Sequence, residues 1–268
     1  MGRPSNKLRG KVAVVTGGSR GIGLIIAASL AQAGAQITIC ARNMAKLEQV
    51  YAQLSTIPGV QVLALDCDMR QLEQVESLAE QTVNRFGQID IWINNAGILG
   101  PYARVADAPA KEWANVIQTN LIGTLHGTQV ALTHMLPRNA GKIINMIGAG
   151  AREDKRLPTY MSAYATSKAA ILRFTQITAE EYKDTDLSIL AMMPGFVRTD
   201  MMQVTPLTPD AEESLKQFDD ALERFGTDIM EAGELAVQLA SRQTDGITGR
   251  VYEVKPGMGQ MLRGLLRR

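Results

Sequence analysis

Short aliphatic and β-branched runs alternate along this chain with longer stretches whose apolar positions recur every three to four residues. Val12–Thr16 (VAVVT) is a continuous apolar run, as expected of a strand covered on both faces. The glycine-rich residues 17–23 follow it, then a helical pattern over Ile22–Ala33 with Gly34 as its C′ residue. The same reading predicts strands at Gln36–Ala41, Val60–Asp66 and Ile89–Asn94, separated by helices at Met44–Leu54 and Leu72–Phe86. Pro58-Gly59 marks a turn, and Gly87 ends the second of those helices. That helix carries a core stripe of Leu72, Val75, Leu78, Ala79, Val83 and Phe86.

The second half continues the alternation. A long helix is expected over Glu112–Leu136, stopping before Pro137, then a strand at Lys142–Ile147 and a helix over Tyr160–Tyr182. The strand Leu187–Met193 ends at Pro194-Gly195. Ala211–Arg224 reads as a mobile, charged amphipathic helix in an insertion, followed by a helix over Glu231–Ser241 and a last strand over Arg250–Val254. Strands separated by helices of this length need right-handed crossovers, and so a parallel sheet. The 268 residues exceed the roughly 150 of a usual domain, yet no repeat, low-complexity segment or linker divides them. One α/β domain over 1–268 is expected, a doubly wound parallel sheet of about seven strands flanked by helices.

Composition narrows the function. With 46% hydrophobic and 21% charged residues the chain is of globular type. Its 28 Lys+Arg and 27 Asp+Glu leave a net charge of +1, too little surplus to hold a nucleic-acid backbone, so none is expected as a partner. Cys40 and Cys67 form no CxxC pair and suit a reducing, cytoplasmic setting. Together with His126 and His134 they show no ligand spacing, so no metal is expected. Residues 1–10 lack the apolar run of a secretory signal, and no stretch approaches the ~18 apolar residues of a membrane span.

The chemistry begins at Thr16-Gly17-Gly18-Ser19-Arg20-Gly21-Ile22-Gly23, between the first strand and its helix. Gly17, Gly21 and Gly23 permit a tight turn and close backbone approach, and the helix N-terminus then faces a pyrophosphate. The alternative is a glycine turn without a ligand, but the strand-before, helix-after context of a dinucleotide site is met. At the end of the second strand, where an acid would hold the ribose 2′-hydroxyl of NAD, the chain has Ala41-Arg42-Asn43. With Arg20 in the glycine loop, two guanidiniums and no carboxylate favour a 2′-phosphate, hence NADP(H). Arg42 is otherwise a solvated strand-end arginine.

Tyr164 and Lys168, in Tyr164-Ala165-Thr166-Ser167-Lys168, fall one helical turn apart on one face. An ammonium there lowers a phenol from its usual pKa of about 10, giving an acid/base that works near neutral pH. Such a pair also arises by chance on a helix surface.

Taken together, these motifs resemble the short-chain dehydrogenase/reductase family over nearly the whole chain. The matching pieces are TGGSRGIG at 16–23, Asp68-Met69 after the third strand, NNAG at 94–97, Asn120, YATSK at 164–168 and PGFVRT at 194–199. The resemblance implies a Rossmann-like fold and hydride transfer between a nicotinamide and a small-molecule carbonyl or secondary alcohol. It implies that Tyr164 donates or accepts the substrate proton, Lys168 holds the nicotinamide ribose and tunes Tyr164, and Asn120 anchors a water joining Lys168 to solvent. Gly17, Ser19, Arg20, Gly21, Ile22, Gly23 and Arg42 would border the phosphates. Asp68 and Met69 would border the adenine, and Asn95, Ala96 and Gly97 its ribose. Pro194, Gly195, Val197 and Thr199 would meet the nicotinamide amide and pyrophosphate. By the same analogy the molecule is a homo-oligomer, a tetramer or dimer, with a substrate lid at 200–228.

The chain departs from the family at one catalytic position. A serine is usual just after the fifth strand, and here it is Gly148. Losing such a preorganised donor costs on the order of 10²–10³ in rate. A water in the vacated space, or Thr159, Tyr160 or Ser162, would be the substitute, so Gly148→Ser is expected to preserve or raise turnover. The other reading of Gly148 is an NADP(H)-binding regulator or scaffold with little turnover, and a third is redox-neutral chemistry. The run Arg152-Glu153-Asp154-Lys155-Arg156 is either a solvated loop or, through Arg152 or Arg156, a contact to an anionic substrate or neighbouring subunit. Met192, Met193, Met201 and Met202, with Met146 and Met161 nearby, are either core or an adaptable wall for a bulky apolar substrate. The basic tail 258–268 is read as a frayed terminus, the alternative being a contact to a membrane or a partner subunit.

Overall fold

Seven strands and eight α-helices follow one another in the computed structural model, which describes residues 6–152 and 157–254. In chain order they are β1 (Val12–Thr16), α1 (Gly21–Gln32), β2 (Gln36–Ala41), α2 (Met44–Leu54), β3 (Val62–Asp66), α3 (Leu72–Phe86) and β4 (Ile91–Asn94). Then come α4 (Ala110–Ile117), α5 (Gly123–Met135), β5 (Gly141–Met146), α6 (Ser162–Glu181), β6 (Leu187–Met193), α7 (Pro209–Phe225), α8 (Ile229–Ala240) and β7 (Val251–Glu253). The strands form one parallel sheet in the order β3-β2-β1-β4-β5-β6-β7.

The apolar run of β1 is explained by this order. All five of its residues are buried, because β2 and β4 flank it and helices cover both faces. Ala13 and Val15 face a layer made with Ile26 and Leu30 of α1, Leu47 of α2 and Leu239 of α8. Val14 faces the opposite layer, with Leu78 of α3, Trp92 and Val130 of α5. The winding reverses between β1 and β4, and at such a switch point the loops leaving the carboxyl ends diverge and open a crevice.

Expected and observed elements agree in kind and order. The third and fourth strands begin two residues later than expected, although Ile89 is still buried ahead of β4. The long helix is the larger departure. It starts at Ala110, and residues Gln118–Ile122 form a π turn between α4 and α5. Such widened turns are frequent at functional sites, and this one carries Asn120. Helix α7 is docked rather than loose: Ala211 is fully buried and Leu222 nearly so. Among the described residues no helix is long and apolar enough to cross a membrane.

Candidate active site

A cleft of about 750 Å³ opens at the carboxyl ends of the strands. Its floor is the turn after β1. A Cβ on Gly17 would lie 2.8 Å from the Cα of Ala96, and one on Gly23 would run into the carbonyl of Gly17. These two glycines let the turn fold onto itself and onto the loop after β4. Gly21 differs: its Cβ would meet only Thr199, at 3.8 Å, across open space. Ser19, Arg20 and Ile22 also line the cleft. Arg20 occupies the N-cap of α1 without a side-chain cap, so the first-turn N–H groups that a helix leaves unpaired face the cleft.

Asn95 braces this floor. Its Nδ2 donates to the carbonyls of Thr16 (2.8 Å) and Gly17 (3.2 Å), and its backbone N–H donates to Thr16 Oγ1 at 3.0 Å. Ala96 N–H donates to the same hydroxyl at 3.0 Å. Met69 and Gly97 border the cleft beside Ala96. Asp68 lines it too, but its carboxylate is already engaged. Arg70 donates from Nε to both oxygens, at 2.9 and 3.0 Å, and from Nη2 to Oδ2 at 2.5 Å. The Arg70 guanidinium holds the Asp68 carboxyl below its usual range. Arg70 also reaches Asn115 of α4, at 2.8 Å. Arg42 and Asn43 border the same end, as does Lys46, a cation on the first turn of α2 that the sequence reading passed over.

Tyr164 and Lys168 stand on α6 and line the opposite end, near Pro194, Gly195 and Val197. Lys168 Nζ lies 5.6 Å from the centre of the Tyr164 ring and donates to the carbonyl of Met146 at 2.8 Å. The expected lowering of the phenol pKa is not found in this cleft. Burial pushes Tyr164 up to about 12 and Lys168 down to about 8. Spacing places the ammonium correctly, but desolvation of the phenolate, about 3 kcal/mol for such a shift, outweighs it.

Asn120 does not line the cleft. Its Oδ1 accepts from Ile98 N–H at 2.8 Å, and its Nδ2 donates to the Ile98 carbonyl and to Ser167 Oγ, both at 3.0 Å. The side chain ties the π turn to the loop after β4 and to α6. The Asn120 backbone carbonyl accepts the Thr124 hydroxyl at 2.7 Å.

Gly148 overturns a second expectation. No vacated pocket stands beside it: a Cβ there would run into the hydroxyl of Tyr164 and come within 3.1 Å of its Cζ. Gly148→Ser therefore collides with the tyrosine instead of completing a pair with it. Arg152 pairs through Nη1 with Glu253 at 2.8 Å. Residues 153–156 and the tail 258–268 lie outside the described residues.

The substrate end is apolar. Met146, Met161, Met193, Met201 and Met202 line it, whereas Met192 belongs to the core. Leu99, Phe196 and Phe218 complete the wall; Phe196 lies within the PGFVRT segment without a role assigned to it, and Leu99 and Phe218 carried no motif. Phe218 of α7 meets Phe196 edge to face at 5.0 Å. The acids lining the cleft among the described residues are all paired: Asp68 with Arg70, Asp200 with Arg20 and Glu253 with Arg152. Two buried hydroxyls of the lining, Thr119 and Thr227, have no hydrogen-bond partner. Orphaned polar atoms in a concave site fit a ligand with polar groups, and the uncapped helix fits its phosphates.

Comparison with known proteins places this architecture. Residues 11–209 match the family model described as short chain dehydrogenase. The 3-oxoacyl-(acyl-carrier-protein) reductase FabG of Aquifex aeolicus (strain VF5) is 31% identical over 254 residues, 94% of this chain and 98% of that protein. The NAD⁺-bound xylitol dehydrogenase structure superposes with a TM-score of 0.82 at 28% identity, covering 94% of this chain and 100% of that one. An actinorhodin polyketide ketoreductase variant with NADPH gives 0.79 at 29%, covering 93% and 97%. With a family model matching residues 11–209, relatives above 30% identity over nearly the whole chain and the same seven-stranded architecture in solved structures, the chain belongs to the short-chain dehydrogenase/reductase family of oxidoreductases.

Proposed function

We propose that the protein is an NADP(H)-dependent reductase of apolar ketones or aldehydes, working in reverse on secondary alcohols. The observation that carries this reading is one cleft in which half-buried Tyr164 and buried Lys168 face the same space as the glycine turn. The cofactor supplies the hydride. Gly17, Ser19, Arg20, Gly21, Ile22 and Gly23 would hold its pyrophosphate, with Thr199 facing Gly21. Arg42 and Lys46, with Arg20 of the glycine loop (itself 3.7 Å from Asp200), would meet a 2′-phosphate, and Ala41 brings no carboxylate to repel it. Asp68, Met69, Asn95, Ala96 and Gly97 border the adenosine, and Pro194, Gly195 and Val197 the nicotinamide. Similar solved structures hold either NAD⁺ or NADPH, so the choice rests on this chain's charges.

Tyr164 gives its Oη proton to the carbonyl oxygen. Its pKa of about 12 keeps the proton in place at neutral pH, which suits a general acid and the reductive direction. Lys168, protonated below about 8, sits close enough to stabilise the phenolate left behind. Asn120 acts through backbone geometry. The methionine-rich wall accommodates irregular apolar substituents, in keeping with relatives named as reductases of 3-oxoacyl and polyketide substrates.

The test is nicotinamide consumption with a panel of apolar ketones, diketones and aldehydes. NADPH is expected to be used at least about tenfold more efficiently than NADH, the worth of roughly one lost charge-assisted contact. Better use of NADH overturns the cofactor reading. Gly148 also favours a second reading, a cofactor-binding regulator without turnover. Tight NADPH binding with no consumption on any substrate would support it.

A further inference from the structure

The turn after β5 carries Gly148 under the tip of Tyr164. Its backbone lies outside the left-handed region, so alanine or serine would meet no conformational penalty there. The obstacle is a contact. A Cβ would run into Tyr164 Oη and fall 3.1 Å from Cζ and 3.3 Å from Cε1. Neither side gives way easily. The Gly148 carbonyl accepts from Ala151 N–H at 3.0 Å, closing a tight turn, and Ile147 N–H is held by Met192 at 2.9 Å. Tyr164 is half-buried on α6 and packs in the apolar cluster of Leu99, Tyr102 and Met161, and Lys168 one turn later is fastened to Met146.

We propose that Gly148 is a positioning residue: its missing side chain forms the slot in which the Tyr164 hydroxyl sits, and the tyrosine acts on the carbonyl oxygen without a neighbouring serine. This rests on the reductase reading and adds to it. The glycine is then a requirement of this active site and not the relic of a lost one. Restoring ordinary contact with a Cβ displaces the hydroxyl by about 1 Å, a misplacement able to cost on the order of 10²-fold in rate. The added hydroxyl of a serine does not recover that loss, because the acid itself has been moved.

Two measurements on the full chain decide it. In the first, Gly148→Ala and Gly148→Ser are compared with wild type in ketone reduction by NADPH. Both are expected to lose at least about tenfold in kcat, serine no less than alanine, with NADPH affinity unchanged. A glycine needed only for folding would leave kcat of the folded variant intact. Serine turning over at or above the wild-type rate overturns the proposal. In the second, Gly148→Ala is made with and without Tyr164→Phe and melted. The substitution is expected to lower Tm by about 5 °C beside tyrosine and by less than about half that beside phenylalanine. Equal losses overturn the proposal. Should wild type consume no ketone, the reductase reading falls. The thermal coupling still decides where the hydroxyl sits, its presence supporting the slot and its absence refuting it.

Discussion

At the scale of single residues, burial decides the chemistry more than spacing does. Tyr164 and Lys168 are one turn apart, as the sequence shows, yet their protonation is set by the depth of the cleft, which no motif reports. Lys168 is a sharp case. In the fold it is half-protonated near pH 8, and in the unfolded chain near its ordinary 10.5. Between those values the unfolded chain binds more protons, so the lysine's contribution to stability is full above about 10.5 and is lost as pH falls through about 8. Wild type is therefore expected to gain stability relative to Lys168→Met between about pH 8 and 9.5, by up to about 1.4 kcal/mol per pH unit. Parallel denaturant curves against pH check this. Curves that keep a constant separation would refute the buried-amine account. Asp68 teaches the same lesson. Its position after β3 is legible, but the grip of Arg70 on its carboxylate depends on a side-chain path that runs on to Asn115.

At the scale of elements, the alternation of apolar runs and amphipathic stretches was enough to order every strand and helix, because a sheet covered on both faces demands those runs. The π turn at Gln118–Ile122 was not visible, since no residue in it breaks the helical pattern and the partners of its Asn120, Ile98 and Ser167, lie far off in sequence. Helix α7 was legible as amphipathic, but the contacts that seat it were not. What docks α7 lies far off in sequence. Tyr160 donates to Asp210 at 3.1 Å, Arg104 pairs with Asp210 at 2.5 Å, and the Tyr102 and Ser214 hydroxyls are 3.1 Å apart. Tyr160 also holds a φ of +64°, a strained setting for a bulky side chain, with its ring stacked on Tyr102 at 5.8 Å. Asp210→Ala removes both Tyr160 and Arg104 from the lid. Limited proteolysis within 203–226 is expected to quicken several-fold and KM for the ketone to rise, with little change in Tm, as both partners are near the surface. Unchanged proteolysis would show that the apolar contacts of Ala211 and Phe218 suffice.

At the scale of the whole molecule, the reversal of winding between β1 and β4 places the glycine turn and the Tyr–Lys helix on one rim, although they are separated by more than half the chain. That convergence follows from topology, and from it the cleft's polarity: cations around Arg42 and Lys46 at one end, methionines and aromatics at the other. The account stands or falls on whether the Tyr164 phenol is the proton donor. The most direct measurement is ketone reduction by Tyr164→Phe together with its NADPH affinity. The variant should bind NADPH as wild type does and lose at least about 10²-fold in kcat, the contribution of a positioned general acid. Turnover within a few-fold of wild type would contradict it.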